Sequence, residues 1–96
     1  MARVTIRAKL PSEEVWVRRR RTERWGTAMV ACVSGLHDAT LLDGLVAEID
    51  GEPVGLLTYR IEDGECEAVT VDAYESGKGI GTALLRAVAD LARARG

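Results

Sequence analysis

The sequence predicts an α/β domain of the α+β type, a mainly antiparallel twisted sheet with flanking helices. Three observations predict it: stretches of period-two alternation, Asp-Gly turns between them, and a change to helical period after Lys78. The 96 residues suffice for one domain, 1–96, near the small end of what a single core can stabilise. With 4% aromatic residues and no Phe, that core must be filled by Val, Leu, Ile and Ala.

Taken in order, Val4, Ile6, Ala8 and Leu10 alternate with Arg3, Thr5, Arg7 and Lys9, which marks a strand with one buried face. Pro11-Ser12 stops it and opens a helix with Glu13 and Glu14 in the first turn, where the helix dipole favours acids. That helix should run to about Trp25 and end at Gly26, although its apolar stripe (Val15, Trp16, Trp25) is thin. Residues 27–33 form a short apolar run, read as a strand, and residues 36–44 read as a loop. Residues 45–49 and 54–61, joined by Asp50-Gly51-Glu52-Pro53, form a hairpin. A second turn, Glu62-Asp63-Gly64-Glu65, leads into a third strand over 66–72. Ile80, Leu84, Val88 and Leu91 then line one face of an amphipathic helix, with Arg93 and Arg95 suited to its C-terminal end and Gly96 as its stop.

Composition excludes several classes. A net charge of −2 argues against nucleic acid as a partner of the whole surface. No stretch approaches the length of a membrane span, and the N-terminus lacks a signal-peptide core, so a cytoplasmic setting is expected. Cys32 and Cys66 lie far apart, form no metal-ligand spacing, and read as buried thiols, so no metal is expected.

The informative stretch is Val69-Thr-Val-Asp-Ala-Tyr-Glu-Ser-Gly-Lys-Gly-Ile-Gly81, a strand feeding a glycine loop in which a helix begins. Amides at a helix start lack intrahelical acceptors, and the dipole adds partial positive charge. Glycines let an anion approach, and Lys78 adds a cation, so a pyrophosphate suits the place. A Walker loop is disfavoured because Gly79 follows Lys78 and position 72 is Asp. A dinucleotide fingerprint is disfavoured because Thr82 stands three after Gly79, and because the loop follows an antiparallel meander. The plain alternative is that three glycines only make a tight strand-to-helix turn.

Ser76-Gly77-Lys78-Gly79-Ile80-Gly81, followed by Thr82-Ala83-Leu84-Leu85, resembles motif A of the GNAT superfamily of N-acetyltransferases, Gln/Arg-x-x-Gly-x-Gly/Ala. Residues 46–58, with their Asp-Gly-Glu-Pro-Val-Gly turn, resemble that family's second and third strands. The likeness is good over 45–96 and topological over 1–44, and Ser76 departs from the usual Gln or Arg. The resemblance implies a GNAT-like fold ending after the motif A helix, with acetyl-CoA as cosubstrate and an amine on a small molecule or peptide as acceptor. It implies pyrophosphate contacts from the backbone of Gly77, Lys78, Gly79, Ile80, Gly81 and Thr82, and pantetheine pairing along Val69 and Val71. The backbone near Val71 would also polarise the thioester carbonyl.

Family members often carry a glutamate general base on this strand, and the matching residue is Glu67, with Glu65 second. Strand parity puts Glu67 on the face of Val69 and Val71. There it is either a base whose pKa burial raises or an edge residue facing water. Neither Tyr59 nor Tyr74 matches the family's thiolate-protonating tyrosine. The family pattern continues beyond residue 96, so the other readings are a non-catalytic acyl-CoA-binding module and a half-domain completed by a second copy or chain at its open strand edge. Arg18–Arg21 could serve a helix-borne nucleic-acid binder but reads better as a solvated helix face. His37, in the loop beside Asp38, reads as a surface residue, and Trp16 and Trp25 as core packing or the wall of an acceptor pocket.

Overall fold

Two Asp-Gly turns order the sheet. Asp50 and Asp63 both adopt positive φ, 51° and 52°, each followed by a positive-φ glycine, as tight hairpin turns require. The computed structural model describes residues 3–32, 35–75 and 77–95. In it β4 (Asp43–Ile49), β5 (Glu52–Glu62) and β6 (Glu65–Ala73) form the expected meander, and β1 (Val4–Ala8) pairs antiparallel with β4. The sheet order is β1-β4-β5-β6, so β6 is a terminal strand among the described residues.

The chain between β1 and β4 holds more structure than its pattern suggests. A 3₁₀ turn (Pro11–Glu13) leads into α1 (Glu14–Trp25), which stops at Gly26 with φ 79°. Then β2 (Met29–Cys32) pairs with β3 (Gly35–Asp38) as a separate two-stranded sheet. His37 therefore lies in a strand, and a 3₁₀ turn (Ala39–Leu41) follows. The expectation of a loop over 36–44 failed because β3 has no buried alternation; its side chains are exposed or half-buried. The expected alternation of β1 also stops early. Ala8 and Leu10 are exposed, whereas Lys9 turns inward and its Nζ donates to the carbonyls of Thr40, at 2.8 Å, and Leu42. The proposed places of Val33, Ser34, Ser76, Gly96 and the Cys32 side chain lie outside the described residues.

The four-stranded sheet carries one helix on each face. On one, α2 (Ile80–Ala94) buries Ile80, Leu84 and Val88 against Leu45, Ala47, Ile49, Leu57 and Tyr59. On the other, α1 packs through Val17 against Val46 and Leu56, with Trp16 and Tyr74 beside them. Core-facing β5 residues therefore alternate, with Leu57 and Tyr59 toward α2 and Leu56 toward α1. The α2 contact demands a glycine at 55, since a Cβ there would lie 2.5 Å from Ile80 Cγ2 and 3.1 Å from the Asp72 carbonyl. Thus β5 and the first residue of α2 fix where the glycine loop ends.

Candidate functional site

The glycine loop leaves β6 at Ala73 and enters α2 at Ile80. Its last residue, Gly79, is the helix N-cap and adopts φ 69°, a left-handed conformation that side chains resist. Helices usually place Ser, Thr, Asp or Asn at the cap to accept from the second or third amide. Here no side chain caps the helix, and the first intrahelical bond runs from the Ala83 amide to the Gly79 carbonyl at 2.9 Å. The amides of Ile80, Gly81 and Thr82 precede that bond and have no acceptor within the helix. Ile80 is 2% exposed, so it contributes only backbone to this mouth and anchors it from below. Gly77, Lys78, Gly79 and Thr82 are exposed, and Lys78 forms no ion pair among the described residues.

Gly81 separates a mere turn from a cradle. Its φ is not positive, and a Cβ built on it meets no atom within 4 Å. The fold of this chain therefore gives no reason for glycine at 81, although glycine in a helix costs up to about 1 kcal/mol relative to alanine. The bare Cα faces open space beside uncapped amides, which is what an anionic group needs for close approach. The residues present fit a pyrophosphate.

Along β6 the structure corrects one sequence expectation. Thr70 pairs with Thr58 but Ala68 with Tyr59, so Val69 is an extra residue, a β-bulge. Opposed residues in an antiparallel pair share a face. Glu67 opposite Arg60, Thr70 opposite Thr58 and Asp72 opposite Leu56 therefore lie on the α1 face, whereas Val71 opposite Leu57 lies on the α2 face. Glu67 and Val71 are on opposite sides, because the bulge inverts the parity on which the expectation rested. Glu67 is half-buried, with Arg60 Nη1 3.8 Å from its carboxylate. Glu65, the second choice, is exposed at the hairpin end. Val69 is half-buried and Val71 40% exposed, at the outer edge of the sheet.

A second group was missed by sequence reasoning. Asp72 is 2% exposed and accepts from Arg21 Nη1 at 2.8 Å and from the Trp25 indole Nε1 at 3.0 Å. Arg24 Nε lies 3.9 Å from the same carboxylate. The arginine run is thus a solvated face only in part: Arg18 and Arg19 are exposed, and the other two turn toward the protein. Arg21 is 6% exposed in the ion pair, Arg20 lies 4.6 Å over the Tyr74 ring, and Arg18 reaches Asp38 and Thr40. Four successive helix residues point in different directions, and two of these meet the buried Asp72 or an aromatic ring. The available signal was Asp72 itself, an acid interrupting the apolar end of a strand. Tyr74, edge-to-face with Trp16 at 6.0 Å, keeps a buried hydroxyl without a partner among the described residues. Burial, then the nearby Asp72 charge, pushes its phenol up to about 12.

Among the described residues no group of three His, Cys, Asp or Glu side chains could hold a metal, and no helix is long and apolar enough to cross a membrane.

Comparison with known proteins agrees with this geometry. The chain is 40% identical over 72 residues to the uncharacterized protein YdhI of Bacillus subtilis (strain 168), a match covering 74% of this chain and 45% of that protein. It is 36% identical over 74 residues to the uncharacterized protein YxbD of the same organism, covering 76% of this chain and 46% of that protein. The chain thus spans somewhat less than half the length of these relatives. No solved structure gives a significant match. The model of the Acetyltransferase (GNAT) family matches residues 10–96, and the chain belongs to that family.

Proposed function

We propose that this chain binds acetyl-CoA and takes part in transferring the acetyl group to the amine of a small molecule or peptide. The observation that carries this reading is the uncapped start of α2, where Gly81 leaves open space beside amides that lack an acceptor within the helix. The backbone of Gly77 to Thr82 holds the pyrophosphate, with Lys78 at its mouth, and the edge of β6 along Val69 and Val71 receives the pantetheine arm. Acetyl-CoA supplies an activated acyl thioester. Transfer forms an amide N–C bond, breaks the C–S bond and expels the coenzyme A thiolate; of the two protons that the acceptor's ammonium loses, one ends on that thiolate and one is released.

Glu67 takes that proton, directly or through water. The bulge at Val69 supports this role, since it puts Glu67 on the α1 face with Thr70 and Asp72, away from the α2 helix. A cytoplasmic setting goes with an intracellular cosubstrate.

One observation favours a second reading, a half-domain that binds acyl-CoA and is completed by another chain. The outer edge of β6 has no hydrogen-bonded strand among the described residues. Thermal shift with acetyl-CoA tests both readings, and no shift at millimolar ligand would overturn them. Release of free thiol with an amine panel, lost in Glu67→Gln while the thermal shift persists, singles out the enzyme.

A further inference from the structure

Beside the α1 face of β6 lies an open cleft of about 290 Å³, walled by Arg21, Trp25, Val30, Val69, Thr70 and Asp72, with Val71 at its rim on the outer edge of the strand. It adjoins the backbone assigned above to the pantetheine arm, and Glu67 lies on the same face two residues before Val69. Its most exposed large wall is Trp25, 58% exposed, yet the indole is held by its Nε1 bond to the buried Asp72. A large exposed ring tied to a buried carboxylate presents a fixed apolar surface, losing little freedom when something packs on it.

Charge narrows what that can be. Asp72 is the acid in the cleft wall, and its two oxygens are taken by Arg21 and by the Trp25 indole. Arg21 lies 5.6 Å from the Trp25 ring centroid, and Arg24 also approaches Asp72, giving two guanidinium groups against one carboxylate. No carboxylate in the wall is left to receive a cation, and the local excess is positive. The valines offer only apolar contact.

We infer that this cleft binds the non-reacting body of the acceptor, and that this body is apolar or aromatic and carries no second positive charge. The inference rests on the acetyl-transfer reading and names the substrate class within it. Polyamines and aminoglycoside-like amines are selected against, because each further ammonium would meet Arg21 and Arg24 without a counter-charge.

The test uses the whole chain, isotope-labelled, and follows backbone amides and the indole N–H of Trp25 by NMR. Coenzyme A, phenethylamine and spermidine are titrated separately, and then each amine in the presence of coenzyme A. Phenethylamine should shift the Trp25 indole and the amides of 69–72 with at least tenfold lower Kd than spermidine. Trp25→Ala should weaken phenethylamine at least fivefold while leaving coenzyme A shifts at 79–82 intact. Trp25→Phe, which keeps a ring but loses the bond to Asp72, should fall between them. Spermidine binding as tightly as phenethylamine, or neither amine moving these signals, overturns the inference. Coenzyme A leaving 79–82 unmoved would instead sink the acetyl-transfer reading, so the two failures are distinct.

Discussion

Gly81 allows the phosphate cradle to be tested apart from the stability of the fold. In Gly81→Ala and Gly81→Leu the new Cβ enters open space, and the backbone there is not in the left-handed region. Both substitutions raise helix propensity by up to about 1 kcal/mol. For a domain of this size that corresponds to an apo Tm higher by about 2–8 °C, measured by differential scanning fluorimetry. Binding should move the other way, and in proportion to side-chain size. Alanine, which the family pattern admits at this position, should leave Kd within a few-fold of the parent. Leucine should fill the space over the amides of Ile80, Gly81 and Thr82 and displace at least one charge-assisted hydrogen bond. Such a bond is worth about 1.5–3 kcal/mol, or about 10- to 150-fold in Kd by calorimetry. Gly55→Ala is the control of opposite sign: its Cβ would stand 2.5 Å from Ile80 Cγ2, so apo stability should fall by about 1–3 kcal/mol. A Gly81→Leu protein that is folded and binds coenzyme A as tightly as the parent would refute the cradle. A lower apo Tm for Gly81→Ala would show that the chain's own packing, and not a ligand, requires glycine there.

Three further outcomes follow from the site. Glu67→Gln should lower acetyl transfer at least 100-fold with little change in coenzyme A affinity, since general-base contributions are about 10²–10⁴-fold; equal activity at all pH values would remove Glu67 from the mechanism. Arg21→Met should cost about 3–5 kcal/mol in urea unfolding by leaving Asp72 buried without its ion-pair partner, and Arg21→Met/Asp72→Leu should recover part of that loss; a double variant as unstable as the sum of its singles would mean the pair is not coupled. Tyr74 is held neutral in the folded chain up to about 12, whereas an unfolded tyrosine ionises near 10. Its stabilising contribution is therefore full below pH 10 and lost as pH rises toward 12, by an amount on the order of 2 kcal/mol. Tyr74→Phe should be near-neutral at pH 7, because the buried hydroxyl has no partner among the described residues, and should show a shallower loss of stability above pH 10. Parallel alkaline unfolding curves for the two proteins would contradict this.

What was legible in the sequence followed from strong local signals. The Asp-Gly turns fixed the β4-β5-β6 meander, Gly26 fixed the end of α1, and the Ile80, Leu84, Val88 spacing fixed the buried face of α2. The loop residues 77 and 79 adopt the left-handed backbone their identity suggests, with φ 75° and 69°. Illegible features depend on distant partners. Nothing local says that Lys9 turns inward, because its acceptors are carbonyls of residues 40 and 42. The β2–β3 hairpin has no buried stripe to reveal it. The burial of Arg21 follows from Asp72, fifty-one residues away in sequence. Single-residue bulges leave no periodic trace either, so the parity of β6 was extrapolated straight through Val69.

That last miss matters most for function, since it changes which residues can act together. Without the bulge, Glu67 would face α2 and the apolar core, together with Val71 and the cluster around Leu57 and Tyr59. A carboxylate there would be costly to bury and remote from any acceptor approaching over α1. With the extra residue, β6 presents Val71 to one side while Glu67, Thr70 and Asp72 look to the other. The buried Arg21–Asp72 pair, with Trp25 bonded to it, ties α1 to that second side, and the cleft opens beside them. A Val69 deletion separates the face of Glu67 from the bulge that sets it. Because Thr70 already lies opposite Thr58 and Ala68 opposite Tyr59, the deletion should close the bulge into a regular ladder and leave Glu67 opposite Arg60 on the α1 face. Acetyl transfer that is retained in the deletion variant, and lost when Glu67→Gln is added, is the expected result. Loss of transfer in a folded deletion variant that still binds coenzyme A at residues 79–82 would show that catalysis needs the extra residue itself and not the face of Glu67.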